Sequence, residues 1–439
     1  MAVKLPKALT IAGLDSGGGA GITADLKTFH AMGVYGMVAL TAVTAQNTLG
    51  VKAVQEVDPS IIEAQVNAVA EDIGIDAAKT GMLSSSPIME SVAKVIKRWG
   101  FPLVVDPVMY AKSGDPLMRR DAMETLRRAV IPLAKVVTPN VPEAESLSGV
   151  SIRNLDDARI AAKRIAEEFH PEIVIVKGGH LTGAESIDVV YFRDSGEFRE
   201  LRAPRINTGN THGTGCSFSA AIAAGLAKGM SAWDSIRQAK ELITMAIQYS
   251  LPLGHGHGPV NPMSWIELRA YRYDAIVDLG NAVSMIKGKV RELIDPQGNG
   301  GIATTLPPPY AVNPSNVISV TWRDIEEGLP INVVTRSGGN RLVKYALGMV
   351  SGNSRLRALL LISGLSNLIS RIKNALTTYE YDSSGDEYRL INSALNEAVR
   401  SLGKVPDAIH LTSINDLIIV GESATAVSSK LVNSLLVTR

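Results

Sequence analysis

The sequence predicts an α/β protein of two domains: a mainly parallel sheet covered by helices, followed by a second, smaller α/β domain. Three observations carry this expectation. The chain has 439 residues, and single hydrophobic cores rarely grow past about 250 to 300. Through the first 250 residues, short apolar runs alternate with amphipathic stretches. Near-continuous apolar strands separated by helices mark a parallel sheet buried on both faces. A polar, glycine- and proline-containing stretch, GHGHGPVNP at 254–262, then interrupts the pattern, and a second alternation begins near Ala275.

In order, strands are expected over Leu9–Ala12, Met37–Thr44, Ala78–Met82, Leu103–Val108, Val136–Thr138 and Ile173–Lys177. Helices are expected over Ile22–Met32, Ile61–Glu71, Ile88–Trp99 and Asp156–Glu168, and the meander-like stretch Ile187–Ala203 reads as an antiparallel addition. The first domain is placed at 1–265, a linker at 266–274 and the second domain at 275–439. That second domain reads as a helix to about Ile294, a glycine- and proline-rich loop to Pro314, and strands near Val317, Ile331, Leu359, Leu376, Ile409 and Ile418.

Composition narrows the function classes. With 46% hydrophobic and 20% charged residues and a net charge of +1, no broad field favours nucleic acid or an anionic membrane surface as partner. The apolar part of MAVKLPKALTIAGLD is too short for a signal-peptide core and runs into a glycine-rich turn. No segment reaches the roughly 18 apolar residues of a membrane span. Cys216 is the single cysteine, which excludes an intrachain disulfide framework. The expectation is a cytoplasmic homo-oligomer acting on small molecules, without nucleic-acid or membrane partners.

Functional groups in open α/β sheets collect at the carboxyl ends of strands, and the polar and glycine clusters here fall at those ends. The strongest is NTHGTGC at 210–216, followed by the small-residue helix SFSAAIAAGLAKG. Glycines at the mouth of a helix let backbone amides approach an anion, and the helix dipole favours negative charge there. The plain alternative is a turn into a tightly packed helix. A thiol at that position is expected to have a depressed pKa, so Cys216 either assists removal of a substrate hydroxyl proton or shapes the anion pocket. AGLDSGGGAGITADLK at 12–27 is a glycine turn from strand to helix without the GK[ST] of a P-loop; Asp25 within it is either a surface charge or a partner for a polar ring substituent.

Thr44, Gln46 and Asn47 follow one apolar strand, and Met82 follows another in KTGML. A glutamine amide offers a donor and an acceptor side by side, as an aminopyrimidine edge requires, and methionine makes an adaptable wall against a flat ring. Asp106 ends a buried strand in VVDPVM, and TPNVPE places Asn140 and Glu143 three apart at a strand-to-helix turn. Oxygen ligands at such points suit Mg2+ bridging nucleotide phosphates; the competing role for Glu143 is to cap the helix. Lys177 in VKGGH suits a phosphate contact, and AKSGD at 111–115 reads as a flap whose Lys112 closes over nucleotide.

Taken together, TIAGLDSGGGAGITADLKTF, TAQNT, KTGML, VVDPVM, AKSGDPL, TPNVPEA, VKGGH and NTHGTGCSFSAA resemble the hydroxymethylpyrimidine and phosphomethylpyrimidine kinases of thiamine biosynthesis, in order over residues 5–260. The resemblance implies a ribokinase-like fold, ATP as co-substrate with Mg2+, and two successive transfers, to hydroxymethylpyrimidine and to its monophosphate. It implies that Gly13, Asp25, Thr44, Gln46 and Met82 line the pyrimidine pocket. It implies that Asp106, Lys177, Gly213, Gly215 and Cys216 surround the reacting phosphates, with Lys112, Asn140 and Thr214 on the nucleotide and Asp106 and Glu143 near the metal. Departures are small: Leu14 where Ser or Thr is usual, Gly18 for a frequent Ser, and Ser217 for a common Thr.

The second half is similar, more faintly, to the ThiN type of thiamine-phosphate synthase, through its position, its length and VPDAIHL at 405–411. That implies condensation of the pyrimidine diphosphate with thiazole phosphate. The family's charged, glycine-rich stretch after VPD is replaced here by HLTSINDLIIV, so a module that senses a precursor or thiamine phosphate stands as the alternative. Arg336 and Arg341 in RSGGNR, and His410, are the phosphate candidates. A related kinase for pyridoxine-type rings is the third reading, since fold does not fix substrate.

Overall fold

The computed structural model describes residues 5–181, 183–294, 300–327, 341–382 and 385–437. The chain forms two compact units divided between Ile266 and Glu267. The front unit runs β1 (Lys7–Asp15), α1 (Gly21–Ala31), β2 (Tyr35–Gln46), β3 (Val51–Glu56), α2 (Pro59–Asp72), β4 (Ala77–Thr80), α3 (Ser86–Trp99) and β5 (Leu103–Val105). An irregular helical stretch over 120–133 leads to β6 (Val136–Val137), α4 (Val141–Ser148), α5 (Leu155–Phe169), β7 (Ile173–Val176), β8 (Glu185–Phe192), β9 (Glu197–Pro204), α6 (Thr214–Ala227) and α7 (Ala232–Gln248).

These strands make one nine-stranded sheet in the order β3-β2-β1-β4-β5-β6-β7-β8-β9. The six from β2 to β7 in that order are parallel; β3 pairs antiparallel with β2, β8 with β7, and β9 with β8. Strand alternation splits the apolar side chains between two cores. Leu9, Leu103, Val105, Val137 and Val174 face α2, α3 and α5. Ala8, Val104, Val136, Ile173 and Ile175 face α1, α6 and α7. Helix starts obey local chemistry: Asp58 accepts from the Ser60 amide before Pro59, and Asn154 accepts from Asp156 and Asp157.

Two expected strands stop early. β4 ends at Thr80 rather than Met82, and β5 ends at Val105 rather than Val108. Gly81 turns the first, and Pro107 lacks the amide that would continue the second. Edge strand β3, VKAVQE, escaped the sequence reading because it is mostly exposed and has neither an apolar run nor a regular alternation.

Residues 266–274, expected as a linker, lie inside the helix Ser264–Ile286. The stretch IELRAYRYD contains neither glycine nor proline, so nothing in it breaks helical hydrogen bonding. The back unit has a six-stranded sheet in the order β11-β10-β12-β15-β14-β13, built from β10 (Gly301–Thr305), β11 (Val317–Thr321), β12 (Ala358–Ser363), β13 (Thr378–Tyr381), β14 (Ala408–Leu411) and β15 (Asp416–Gly421). All neighbours are antiparallel except β13 and β14. β10 falls within the stretch expected to be loop: five buried residues after Gly300 form a strand despite the prolines that follow. The strand expected near Ile331 lies outside the described residues. Helices Arg341–Gly352 and Glu387–Leu402 pack on one face of this sheet. No described helix is long and apolar enough to cross a membrane.

Candidate active site

The parallel strands of the front unit end at one edge, and backbone hydrogen bonds hold their exits side by side. The Gly81 amide donates to Ile11 (3.0 Å), Asp106 to Thr80 (3.1 Å), Thr138 to Val105 (3.0 Å) and Lys177 to Pro139 (2.9 Å). Gly13, Met82, Asp106, Asn140 and Lys177 therefore emerge together and line one cavity of about 620 Å³. Thr44, Gln46, Lys112, Glu143, Gly213, Thr214, Gly215 and Cys216 complete the expected lining.

At one end the walls suit a flat, polar-edged ring. A side-chain carbon placed on Gly13 would lie 3.1 Å from the Met82 sulfur, so glycine leaves the space that the thioether faces. Thr44 Oγ1 donates to the Leu14 carbonyl (2.9 Å) and lies 3.2 Å from Gln46 Oε1. Ser16 Oγ donates to the Gln46 carbonyl and accepts from its amide, both at 2.8 Å, which fixes the strand end that presents the glutamine side chain.

At the other end the groups suit phosphate. Lys177 Nζ bonds Asp106 Oδ1 at 2.9 Å, and Thr138 Oγ1 donates to the same oxygen at 3.1 Å. Burial opposes charge on Lys177, but Asp106 and Glu143 outweigh it and raise its pKa. A carbon on Gly215 would lie 3.2 Å from Lys177 Nζ and 3.3 Å from Asp106 Oδ2, so the first turn of α6 opens onto this pair. Gly213 is the N-cap of α6 at φ +79°, and a side chain there would overlap the Gly19 carbonyl oxygen. Only glycine satisfies both conditions. Thr214 Oγ1 turns back to the Thr211 carbonyl at 2.7 Å. Lys112 is exposed on its flap, and Asp115 ties that flap to the Val51 amide at 3.0 Å.

Glu143 takes the capping role. Its carboxylate accepts from the Asn140 amide (2.8 Å) while Asn140 accepts from the Glu143 amide (2.9 Å), a reciprocal helix cap. Burial, with Asp106 adding to it against Lys177, pushes its pKa up to about 7. No group of three His, Cys, Asp or Glu side chains able to hold a metal occurs among the described residues. The Asp106 and Glu143 carboxylates nonetheless fit Mg2+, which is typically held by one or two carboxylates with water and substrate phosphate supplying the rest.

Two expectations are corrected. Asp25 does not line the cavity: it is fully buried behind it, ion-paired with Lys79 at 2.8 Å and accepting from Thr10 Oγ1 at 2.6 Å. Its place on the inward face of α1, opposite a lysine on β4, puts it under the site rather than in it. The Cys216 thiol is shifted the opposite way from the expected depression. Burial pushes it up to about 11, with Asp25 and Asp106 adding to that against Lys79 and the Gly21 amide, so the helix mouth does not ionise it.

The model of the phosphomethylpyrimidine kinase family matches residues 15–261. The chain belongs to that family. The hydroxymethylpyrimidine/phosphomethylpyrimidine kinase of Bacillus subtilis is 48% identical over 256 residues, 58% of this chain and 94% of its own length. The bifunctional thiamine biosynthesis protein ThiED of Geobacter sulfurreducens is 48% identical over 254 residues, 51% of its length. Among solved structures, phosphomethylpyrimidine kinase of Clostridium difficile covers 56% of this chain and all of its own at 43% identity and TM-score 0.50. An ADP complex of Bacillus subtilis pyridoxal kinase covers 60% of this chain and 98% of its own at 42% identity and TM-score 0.56. The front unit is thus a ribokinase-like phosphotransferase.

In this phosphomethylpyrimidine kinase unit, sequence reasoning missed the charged pairs that hold the loops. His212 sits inside NTHGTGC and bonds Asp15 at 2.8 Å. Lys240 bonds Asp188 at 2.8 Å, and the other Asp188 oxygen accepts from the Gly178 amide at 2.9 Å. Lys79 carried a readable signal, a charge inside the short buried strand AAKT; the other pairs join positions 197 and 52 residues apart and left none.

In the back unit, Arg336 lies outside the described residues. Arg341 opens its helix and bonds Glu387 (3.0 Å) and Asp416 (3.2 Å); Asp416 also accepts from Tyr345 Oη (3.0 Å) and Ser363 Oγ (2.6 Å). Burial opposes the guanidinium charge, but Asp416 and Glu387 raise its pKa. His410 lies 3.7 Å from Glu380 and 3.3 Å from Lys373. Leu411 pairs with Asp416 and His410 with Leu417 across β14 and β15. Arg341 and His410 consequently serve opposite faces of the sheet, and the structure does not bring them together.

Proposed function

We propose that the front unit transfers the γ-phosphoryl group of ATP to the hydroxymethyl oxygen of 4-amino-5-hydroxymethyl-2-methylpyrimidine, and then a second phosphoryl group to the monophosphate. The observation that supports this is the single cavity with Thr44, Gln46 and Met82 at one end and Lys177, Asp106 and the α6 mouth at the other. A ring held by the first set points its substituent toward the second. Transfer of this kind depends on positioning and electrostatic stabilisation, and Lys177 with the amides at Gly213–Cys216 supplies both. Asp106 and Glu143 would hold Mg2+, which neutralises charge on the transferring phosphates when bound. Lys112, Asn140 and Thr214 line the same cavity and are assigned to nucleotide. Cys216, whose thiol is pushed up by burial, is assigned to the shape of the anion pocket rather than to proton removal.

A pyridoxine-type substrate is the second reading, favoured by the likeness to pyridoxal kinase structures. Purified protein with MgATP, given hydroxymethylpyrimidine and pyridoxal side by side, decides between them; faster turnover of pyridoxal overturns the first reading.

For the back unit the proposal is thiamine-phosphate synthesis from the pyrimidine diphosphate and thiazole phosphate. Ligand sensing without turnover is favoured by one observation, the commitment of Arg341 to Asp416 and Glu387 on the face away from His410. A one-pot reaction with hydroxymethylpyrimidine, MgATP and thiazole phosphate separates the two: thiamine phosphate supports synthesis, and pyrimidine diphosphate alone supports sensing. A cytoplasmic homo-oligomer remains the proposed working state, to be checked by light scattering of the purified chain.

A further inference from the structure

Asp15 stands at the carboxyl end of β1, and its carboxylate organises two loops at once. Oδ1 accepts from the Gly17 amide (2.8 Å); Oδ2 accepts from the Gly19 (3.1 Å) and Ala20 (2.9 Å) amides and from His212 Nε2 (2.8 Å). Since an ionised carboxylate only accepts, the imidazole donates through Nε2. Burial works against this charge, but the bond from His212 and the loop amides prevail and lower its pKa. His212 is the residue immediately before Gly213, whose backbone packs against the Gly19 carbonyl oxygen.

His212 is braced from its other side. The segment 254–260, from the GHGHGPVNP stretch, runs beside it: the His212 amide donates to Gly258 (3.1 Å) and the Val260 amide to His212 (3.0 Å). The same segment reaches the loop that follows β2 and Gln46, where the His257 amide donates to the Thr48 carbonyl (2.9 Å) and the Gly256 amide to Thr48 Oγ1 (3.2 Å). A side chain on Gly256 would overlap the Thr48 carbonyl oxygen, so the approach depends on glycine. Ser16, next to Asp15, closes the circuit by its two bonds to the Gln46 backbone.

We infer that Asp15 and His212 are positioning residues for phosphoryl transfer: their bond fixes the phosphate-facing amides of the α6 mouth relative to the loop and strand that hold the ring. The inference rests on the assignment of that mouth to phosphate. Both residues line the cavity, but the carboxylate and the imidazole Nε2 are taken up by each other and by the amides of Gly17, Gly19 and Ala20. The pair sets the distance between two halves of the site that come from opposite ends of the front unit, and misplacement of reacting groups by about 1 Å can cost on the order of 100-fold in rate.

The test uses the full chain with His212→Ala and His212→Gln, assayed with hydroxymethylpyrimidine and MgATP with and without added imidazole. The wild-type rate tests the kinase reading by itself; the ratio of variant to wild type tests the pair. Expected for His212→Ala is a kcat lower by about 100-fold with the pyrimidine KM within about threefold, because the ring contacts at Gln46 and Met82 are untouched. Glutamine, which can donate from a similar place, and exogenous imidazole should each recover about tenfold or more. A kcat for His212→Ala within about threefold of wild type would overturn the inference. So would a loss of kcat and a rise of pyrimidine KM in step with a lowered melting temperature, unrelieved by glutamine or imidazole, since that pattern marks a residue needed only for folding.

Discussion

Lys79 and Asp25 are both completely removed from solvent, with nitrogen–oxygen distances of 2.8 and 3.0 Å. Replacing Lys79 by methionine preserves most of the volume and leaves Asp25 with the Thr10 hydroxyl as its remaining hydrogen-bond donor. Breaking one partner of a buried pair costs about 3 to 5 kcal/mol, because the surviving charge stays buried without compensation. In a unit of this size each kcal/mol moves the melting temperature by about 2 to 4 °C. Lys79→Met should therefore lower the front-unit transition by roughly 10 °C. The double variant Lys79→Met with Asp25→Leu removes both charges and should regain most of that loss, since apolar replacement of a buried pair is often neutral. Differential scanning calorimetry of the full chain reads both, with the front-unit transition identified by its upward shift when a nonhydrolysable ATP analogue is added. A single variant melting within about 2 °C of wild type, or a double variant no better than the single, would refute the reasoning.

Other consequences are equally direct. Gly213→Ala forces a side chain into positive φ and onto the Gly19 carbonyl oxygen, so kcat should fall by at least about 100-fold, with pyrimidine KM changed far less, in steady-state kinetics. Glu143 has a folded-state pKa raised to about 7, so the stability it contributes is fully present below the ordinary glutamate range and is lost as pH rises through 7. Melting temperatures from pH 5 to 8 should accordingly fall more for wild type than for Glu143→Gln; parallel curves would contradict this. With its thiol near 11, Cys216 should be alkylated by iodoacetamide at a rate still climbing at pH 9.5, and a plateau by pH 8.5 would show a far more acidic thiol.

The order of the front-unit strands and helices was legible because each parallel strand is buried on both faces and reads as an apolar run, as in IVIV at 173–176. That Gly213, Gly215, Asp106 and Lys177 would meet in one cavity was legible for a different reason: each sits in a compact motif at a strand or helix end. What failed to show was whatever depends on side chains meeting across the fold. Asp25 has the residue type of a ligand but faces inward on α1, and only the arrival of β4 beside it places Lys79 against its carboxylate. The upward shift at Cys216 was not legible because helix position can be read from sequence, whereas burial beside Asp25 and Asp106 cannot. In the back unit, mostly antiparallel pairing and β10 both hid behind a proline-rich stretch, and the phosphate candidates were grouped without knowing that adjacent strand positions point to opposite faces.

The segment 254–260 has a consequence for how the chain comes into being. It is among the last parts of the front unit to leave the ribosome, yet it braces the His212 loop, which in turn holds a loop made among the first twenty residues. Every strand of the large sheet is already synthesised by Pro204, some fifty residues before this closure. A nascent chain can therefore possess its whole sheet while the His212 loop is still unbraced. Competence for transfer would then arrive late and abruptly, at the point where residue 260 clears the exit tunnel.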